Sequence, residues 1–196
     1  SGVLETDTAL SIVDQAAIVV DAADALGIVH RDLKPENLFL LDSPGQVFVK
    51  VLDFGLARLA HGDQAPADQE LTHSDTLIGT PAYMAPEQYR DGRYATVQSD
   101  LWSLAVTFYK MLTGRLPFEA LTAAGMAVAV CSEPFTPVGR YRGGLPAALD
   151  RWFERALAKA PNQRFANVRA FMRGLEQALE GQLKGAQPRR VIDCID

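Results

Sequence analysis

The sequence predicts a mainly α domain that carries one small β-hairpin. Three observations lead there. Apolar residues recur at spacings of three and four in several separate stretches. Two short runs of strand formers flank a turn cluster, and the stretch 56–80 has no apolar period at all.

The first helix is expected over 8–26, where Ile12, Val13, Ala16, Val19, Val20, Ala23 and Leu26 form one stripe. Gly27 supplies its stop, because glycine enters the left-handed region that ends many helices without steric cost. LFLL (38–41) and VFVKVL (47–52) read as strands around Asp42-Ser43-Pro44-Gly45, which makes a hairpin. Residues 56–80, rich in Asp, Gln, Thr and Ala, read as a long loop, of a length that is usually functional or disordered. Leu101, Leu104, Ala105, Phe108 and Leu112 mark a helix over 98–112 that Gly114 and Pro117 end. A weaker helix covers 120–131. Leu149, Trp152, Phe153, Ala156 and Leu157 mark one over 146–159, and Val168, Phe171, Met172, Leu175 and Leu179 one over 163–180. Residues 1–180 are thus expected to form one domain, and 181–196 a polar, loosely ordered tail.

Composition narrows the setting. The 196 residues suffice for one core, and 48% hydrophobic with 22% charged residues argues against disorder. A net charge of −5 without a Lys/Arg block gives nucleic acid no electrostatic footprint. No run of 18 apolar residues occurs, so no membrane span is expected within this chain. The start, SGVLETDTAL, lacks both the signal-peptide pattern and an initiator Met, so the chain is expected to begin inside something longer or to be processed. Cys131 and Cys194 lack metal-type spacing and are expected to be reduced thiols of a cytoplasmic protein. His30, His61 and His73 show no ligand spacing either.

Chemistry concentrates in HRDLKPEN (30–37), which places the Asp32 carboxylate, the Lys34 ammonium and the Asn37 amide on one tight loop. A carboxylate can orient a hydroxyl and accept its proton. An ammonium two residues on can neutralise a phosphoryl group in transfer, and an amide oxygen can ligate Mg²⁺. Sixteen residues past Asn37, Asp53-Phe54-Gly55 ends the second strand and adds a hard anionic oxygen.

HRDLKPEN, DFG and GTPAYMAPE (79–87), in this order and spacing, resemble the signature set of the eukaryotic-like (Hanks-type) serine/threonine protein kinases. The resemblance implies a protein-kinase-like fold, present as the helical C-terminal lobe with a small β-hairpin at the catalytic cleft and the N-terminal lobe missing. It implies transfer of the ATP γ-phosphate, with Mg²⁺, to Ser/Thr hydroxyls of protein substrates. By the same resemblance Asp32 is the catalytic base, Lys34 contacts the γ-phosphate, Asn37 and Asp53 hold Mg²⁺, and Phe39 floors the adenine pocket. Thr80 would bond to Asp32 and Lys34, Glu87 would pair with Arg164 in the interior, and Asp100 would brace the catalytic-loop backbone. Arg31 marks the subclass in which activation-loop phosphorylation regulates activity, and Thr72, Ser74 and Thr76 are the candidate acceptors. The Ala-rich, Arg-over-Lys composition points to a bacterial source.

Ala105 and Ala160 depart from the family's usual Gly and Asp, at positions away from any reacting atom. A larger departure lies upstream. A kinase grips ATP with a Gly-rich loop, a strand lysine and a helix glutamate. Of the five lysines (Lys34, Lys50, Lys110, Lys159, Lys184) none precedes the catalytic loop. The chain is therefore expected to be a fragment of an active kinase. It should be weakly active or inactive alone, with an uncovered apolar face open to dimerisation or to the missing lobe.

Two rival readings fit part of the pattern. A catalytically silent, kinase-derived interaction module would tolerate loss of Asp32, Asn37 or Asp53, and all three are intact. A small-molecule phosphotransferase shares His30, Asp32 and Asn37 but lacks Lys34 at this offset and GTPAYMAPE. The DNA directly upstream is expected to encode, in frame, GxGxxG and VAxK-like segments; a reading frame without them contradicts the fragment reading.

Overall fold

The computed structural model describes residues 2–43, 46–54, 81–91 and 94–180. Gly55, His61, Thr72, His73, Ser74, Thr76, Thr80 and Cys194 lie outside the described residues, as do the tail 181–196 and the two central turn residues, Pro44 and Gly45.

Helix α1 runs Thr6–Ala25 and buries Ala9, Ile12, Val13, Ala16, Ala17, Val20 and Ala23. Four of these seven are alanines, which lets α1 lie close against the central helix. Leu26, expected in the stripe, is instead 76% exposed because it falls past the helix end. There Gly27 takes φ +70, the Gly27 N–H donates to the Asp24 carbonyl at 2.9 Å, and the Ile28 N–H donates to the Ala23 carbonyl at 2.9 Å. This is a Schellman turn, which satisfies two orphan carbonyls and redirects the chain.

Strands β1 (Leu38–Ser43) and β2 (Gln46–Val51) pair antiparallel, from Leu38 opposite Val51 to Ser43 opposite Gln46. A lone hairpin is marginal in water. Here Gln15 of α1 anchors it: the Gln15 Nε2 donates to the Val47 carbonyl at 2.9 Å, and its Oε1 accepts the Val49 N–H at 2.9 Å. The side-chain amide thus imitates a peptide unit along the β2 edge. Phe39, Leu40, Leu41 and Phe48 remain about half exposed on the hairpin.

A 3-10 turn at Pro81–Tyr83 leads to the short helix α2 (Pro86–Arg90). Five residues are too few to carry a period, so the sequence left α2 invisible. Helix α3 (Val97–Thr113) is buried on all sides from Ser99 to Tyr109, as expected of the helix around which the rest packs. It ends at Gly114, whose φ is +70. Helix α4 (Ala123–Ser132) starts three residues later than its periodicity implied, because Thr122 caps it by accepting the Gly125 N–H. Helix α5 spans Ala147–Ala156, and α6 spans Val168–Leu179. The α6 start is also later than expected. Asn167 caps it, while Pro161–Gln163 make a separate 3-10 turn that delivers Arg164 to the interior. Phe108, Trp152, Phe153, Phe165 and Phe171 knit α3, α5 and α6 together, with ring centroids 4.7–5.9 Å apart. Among the described residues no helix is long and apolar enough to cross a membrane.

One ion pair crosses this core. Arg164, 3% exposed, holds Glu87 through two parallel bonds, Nη1 to Oε1 at 2.8 Å and Nη2 to Oε2 at 2.7 Å. Its remaining donors reach the carbonyls of Ala158, Gln98 and Lys159, and the guanidinium lies 4.8 Å over Trp102. Ser99 donates to Glu87 at 2.7 Å. Burial alone would raise the Glu87 carboxyl, but the Arg164 bonds and charge and the Ser99 hydroxyl outweigh it and hold it below its ordinary 4.5.

Removing one partner leaves the other buried and unpaired, so Arg164→Ala should cost about 3–5 kcal/mol, read as a lower denaturant midpoint. With a depressed folded-state pKa, Glu87 contributes stability that is present above pH 4.5 and lost as pH falls through the folded value. The stability gap between the wild type and Glu87→Gln should accordingly narrow in acid; a gap that widens contradicts the assignment.

Candidate active site

The site begins where α1 hands the chain to residues 28–37. Asp100, near the start of α3 and 2% exposed, accepts two successive backbone N–H groups: Oδ2 from His30 and Oδ1 from Arg31, each at 2.8 Å. To present both, Arg31 adopts φ +71, in the left-handed region that costs a non-glycine residue about 1 kcal/mol or more. Burial pushes the Asp100 carboxyl up to about 6, against the pull of the two amides and of Arg31.

His30 is the second fixed point. It is 1% exposed, its Nε2 lies 3.0 Å from the Leu52 carbonyl, and the Asp32 N–H reaches its Nδ1 at 3.4 Å. A neutral ring with its proton on Nε2 satisfies both contacts. Burial lowers its pKa despite the Leu52 carbonyl and the charges of Asp32 and Asp53. The Phe54 ring packs against it, centroids 4.7 Å apart. His30 therefore ties the loop to Leu52, just past the end of β2, with both ring nitrogens engaged. Next to it Asp53 takes φ +54 and its side chain is exposed.

Asp32, Lys34 and Asn37 converge. Lys34 Nζ donates to Asp32 Oδ2 at 2.7 Å. Asn37 Nδ2 donates to the Asp32 carbonyl at 2.8 Å and to Oδ2 at 3.3 Å. The local cause is a 3-10 turn at Pro35–Asn37, with Pro35 in its first position and Leu33 buried beneath the loop. The Leu52 N–H donates to the Asn37 carbonyl at 2.8 Å and locks the turn to the hairpin base. Among the described residues nothing hydrogen-bonds Asn37 Oδ1 or Asp32 Oδ1.

Phe39 follows the 3-10 turn two residues after Asn37. It lies on β1 opposite Lys50, half exposed. Its neighbours Leu38 and Leu40, on the other face of the strand, line an apolar pocket of about 240 Å³ with Ile12, Pro35 and Met111. Arg31 is half-buried, and the loop residues it would meet are outside the described ones.

Several contributors escaped the sequence reading. Gln88, buried in α2, donates Nε2 to the Arg31 carbonyl at 3.0 Å. Tyr89 donates its hydroxyl to the Pro81 carbonyl at 2.6 Å, Ser103 donates to the Tyr83 carbonyl at 2.8 Å, and Lys110 Nζ donates to the Tyr83 hydroxyl at 2.9 Å. Together they seat the 81–90 segment on α3 beside the loop. Only their polarity at interior positions could have flagged them.

Asn at position 100 could accept only one of the two amides, so Asp100→Asn should cost about 1–3 kcal/mol in unfolding free energy. The folded-state pKa lies above the ordinary 3.8, so the wild-type contribution is complete below that value and lost as pH rises through about 6. The wild-type advantage over Asp100→Asn should therefore shrink from pH 4 to pH 6.5; growth over that range contradicts the burial account.

Comparison with known proteins gives the family and the fold. The protein kinase domain family model matches residues 1–166. Serine/threonine-protein kinase Pkn1 of Myxococcus xanthus is 44% identical over 177 residues, 90% of this chain and 25% of Pkn1. Serine/threonine-protein kinase pkn3 of the same species is 39% identical over 184 residues, 91% of this chain and 33% of pkn3. A crystal structure of the Mycobacterium tuberculosis PknI kinase domain superimposes with a TM-score of 0.64 at 26% identity, covering 90% of this chain and 56% of that one. The chain spans about a quarter to a third of these curated relatives. With a family match over most of its length and a kinase-like fold, this chain belongs to the protein kinase family, among relatives that are bacterial serine/threonine protein kinases.

Proposed function

We propose that residues 30–54 are the phosphotransfer centre of a serine/threonine protein kinase that moves the γ-phosphate of ATP to Ser/Thr hydroxyls of proteins. The observation that carries this reading is the Asp32 carboxylate: Lys34 and Asn37 hold one oxygen, and the other is open among the described residues. That oxygen can orient a substrate hydroxyl and take its proton as the hydroxyl oxygen attacks the γ-phosphorus and the bond to the β,γ-bridging oxygen breaks, releasing ADP. Lys34 lies two residues away, with its ammonium at 2.7 Å from Asp32, and can swing to neutralise the transferred phosphoryl group.

The donor set also suits Mg²⁺. Asn37 Nδ2 is committed to Asp32, which leaves Oδ1 as a neutral oxygen ligand, and the Asp53 carboxylate is exposed beside His30. No group of three or more His, Cys, Asp or Glu that could hold a metal exists among the described residues. Two hard oxygens fit an ion that takes its other ligands from phosphate and water, and would not fit one needing a full protein cage. Bound there, Mg²⁺ would withdraw charge from the phosphate oxygens. Phe39 offers a flat apolar face for adenine on the hairpin above. Phosphoryl transfer depends mostly on alignment, which can supply about 7–11 kcal/mol, so the 196 residues alone should turn over slowly.

The test is ³²P transfer from ATP with Mg²⁺ to a generic basic protein, run on this chain and on the full-length protein. Asp32→Asn should reduce transfer about 10²–10⁴-fold in the full-length protein. Asp53→Asn and Asn37→Ala should each raise the Mg²⁺ concentration that half-saturates the reaction. Transfer unchanged by Asp32→Asn contradicts the assignment. No transfer by the full-length protein favours a kinase-derived interaction module instead.

A further inference from the structure

Gln88 is 4% exposed, yet both ends of its amide are used by different elements. Oε1 accepts the Ala85 N–H at 2.9 Å, in the first turn of its own helix, and Nε2 donates to the Arg31 carbonyl at 3.0 Å. The Arg31 N–H is held from the other side by Asp100 at 2.8 Å. The two peptide groups flanking Arg31 are therefore gripped separately, one from α3 and one from α2. This matters because Arg31 sits at φ +71, a conformation that surrounding contacts must enforce. The carbonyl that Gln88 holds belongs to the Arg31–Asp32 peptide, whose N–H reaches His30 Nδ1 at 3.4 Å. Rotation of that peptide would swing the Asp32 side chain away from Lys34 and Asn37. The preceding residue, Glu87, is locked to Arg164, so α2 is a fixed platform for the grip.

We propose that Gln88 is a positioning residue, which couples the 81–90 segment to the catalytic loop by fixing the Arg31–Asp32 peptide. The chemistry requires an amide. One end must accept an N–H and the other must donate to a carbonyl, which an ionised Glu cannot do at the second end and Met cannot do at either. The proposal rests on reading 30–37 as the catalytic loop, but its first readout does not depend on activity.

Hydrogen exchange of the 196-residue chain, followed peptide by peptide, tests it. Gln88→Glu keeps the Ala85 bond and loses the donor; Gln88→Met loses both. Both variants should accelerate exchange in the 28–36 peptide by about tenfold or more, with peptides from α3, α5 and α6 unchanged. In the full-length protein the same variants should lower kcat while KM for ATP stays put. Exchange in 28–36 equal to wild type in Gln88→Glu overturns the proposal. So does acceleration spread evenly over all peptides, which would mark Gln88 as a general stability residue. Absence of any phosphotransfer would count against the proposed function and leave the exchange result standing.

Discussion

The structure turns on one buried carboxylate. Asp100 stands near the start of the helix around which the others pack, and its two oxygens take the amides of His30 and Arg31. Asp32, Lys34 and Asn37 follow directly on the loop it grips. Arg31, left-handed at φ +71, has each of its two peptide groups bound by a neighbour, and Asp32 follows it directly. A carboxylate raised to about 6 by burial is an expensive device for holding a loop. Its use in the interior suits a loop whose position matters more than the stability it costs.

Around this point the molecule is braced in layers. Helix α3 supplies Asp100 to the loop, Ser103 to the 81–83 turn and Ser99 to Glu87, so one rigid element references three separate segments. Helix α1 sets the loop's starting point and, through Gln15, the edge of the hairpin that leads into Asp53. His30 closes the circuit by joining the loop to Leu52, next to Asp53. Side-chain amides and carboxylates here do what backbone ladders do in a larger sheet: they satisfy strand and loop groups that a two-stranded hairpin leaves unpaired.

Much of this was legible in the sequence, for identifiable reasons. The long helices declared themselves because apolar residues recur along them at spacings of three and four, and the hairpin because strand formers flank a turn. The Glu87–Arg164 pair and the Asp100 brace were implied by the resemblance to the protein kinases. What stayed hidden has no period. Helix α2 is too short to show one, the α6 start depends on an Asn167 cap, and Leu26 looks apolar and in phase but falls one residue past the helix end. Gln15 and Gln88 are ordinary polar letters whose partners lie 32 and 57 residues away. The left-handed backbone of Arg31 and Asp53 is equally silent, since neither residue type announces it.

In the proposed reaction Asp32 is the proton acceptor, and Asn37 and Asp53 supply the metal-facing oxygens. A crystal structure of the chain with Mg²⁺ and a non-hydrolysable ATP analogue tests this most directly. Asn37 Oδ1 and an Asp53 oxygen should lie about 2.0–2.1 Å from the metal, with the Asp32 carboxylate outside its coordination sphere and facing the γ-phosphate. Mg²⁺ bound to Asp32 in place of Asn37, or a nucleotide seated away from residues 32–53, would contradict it.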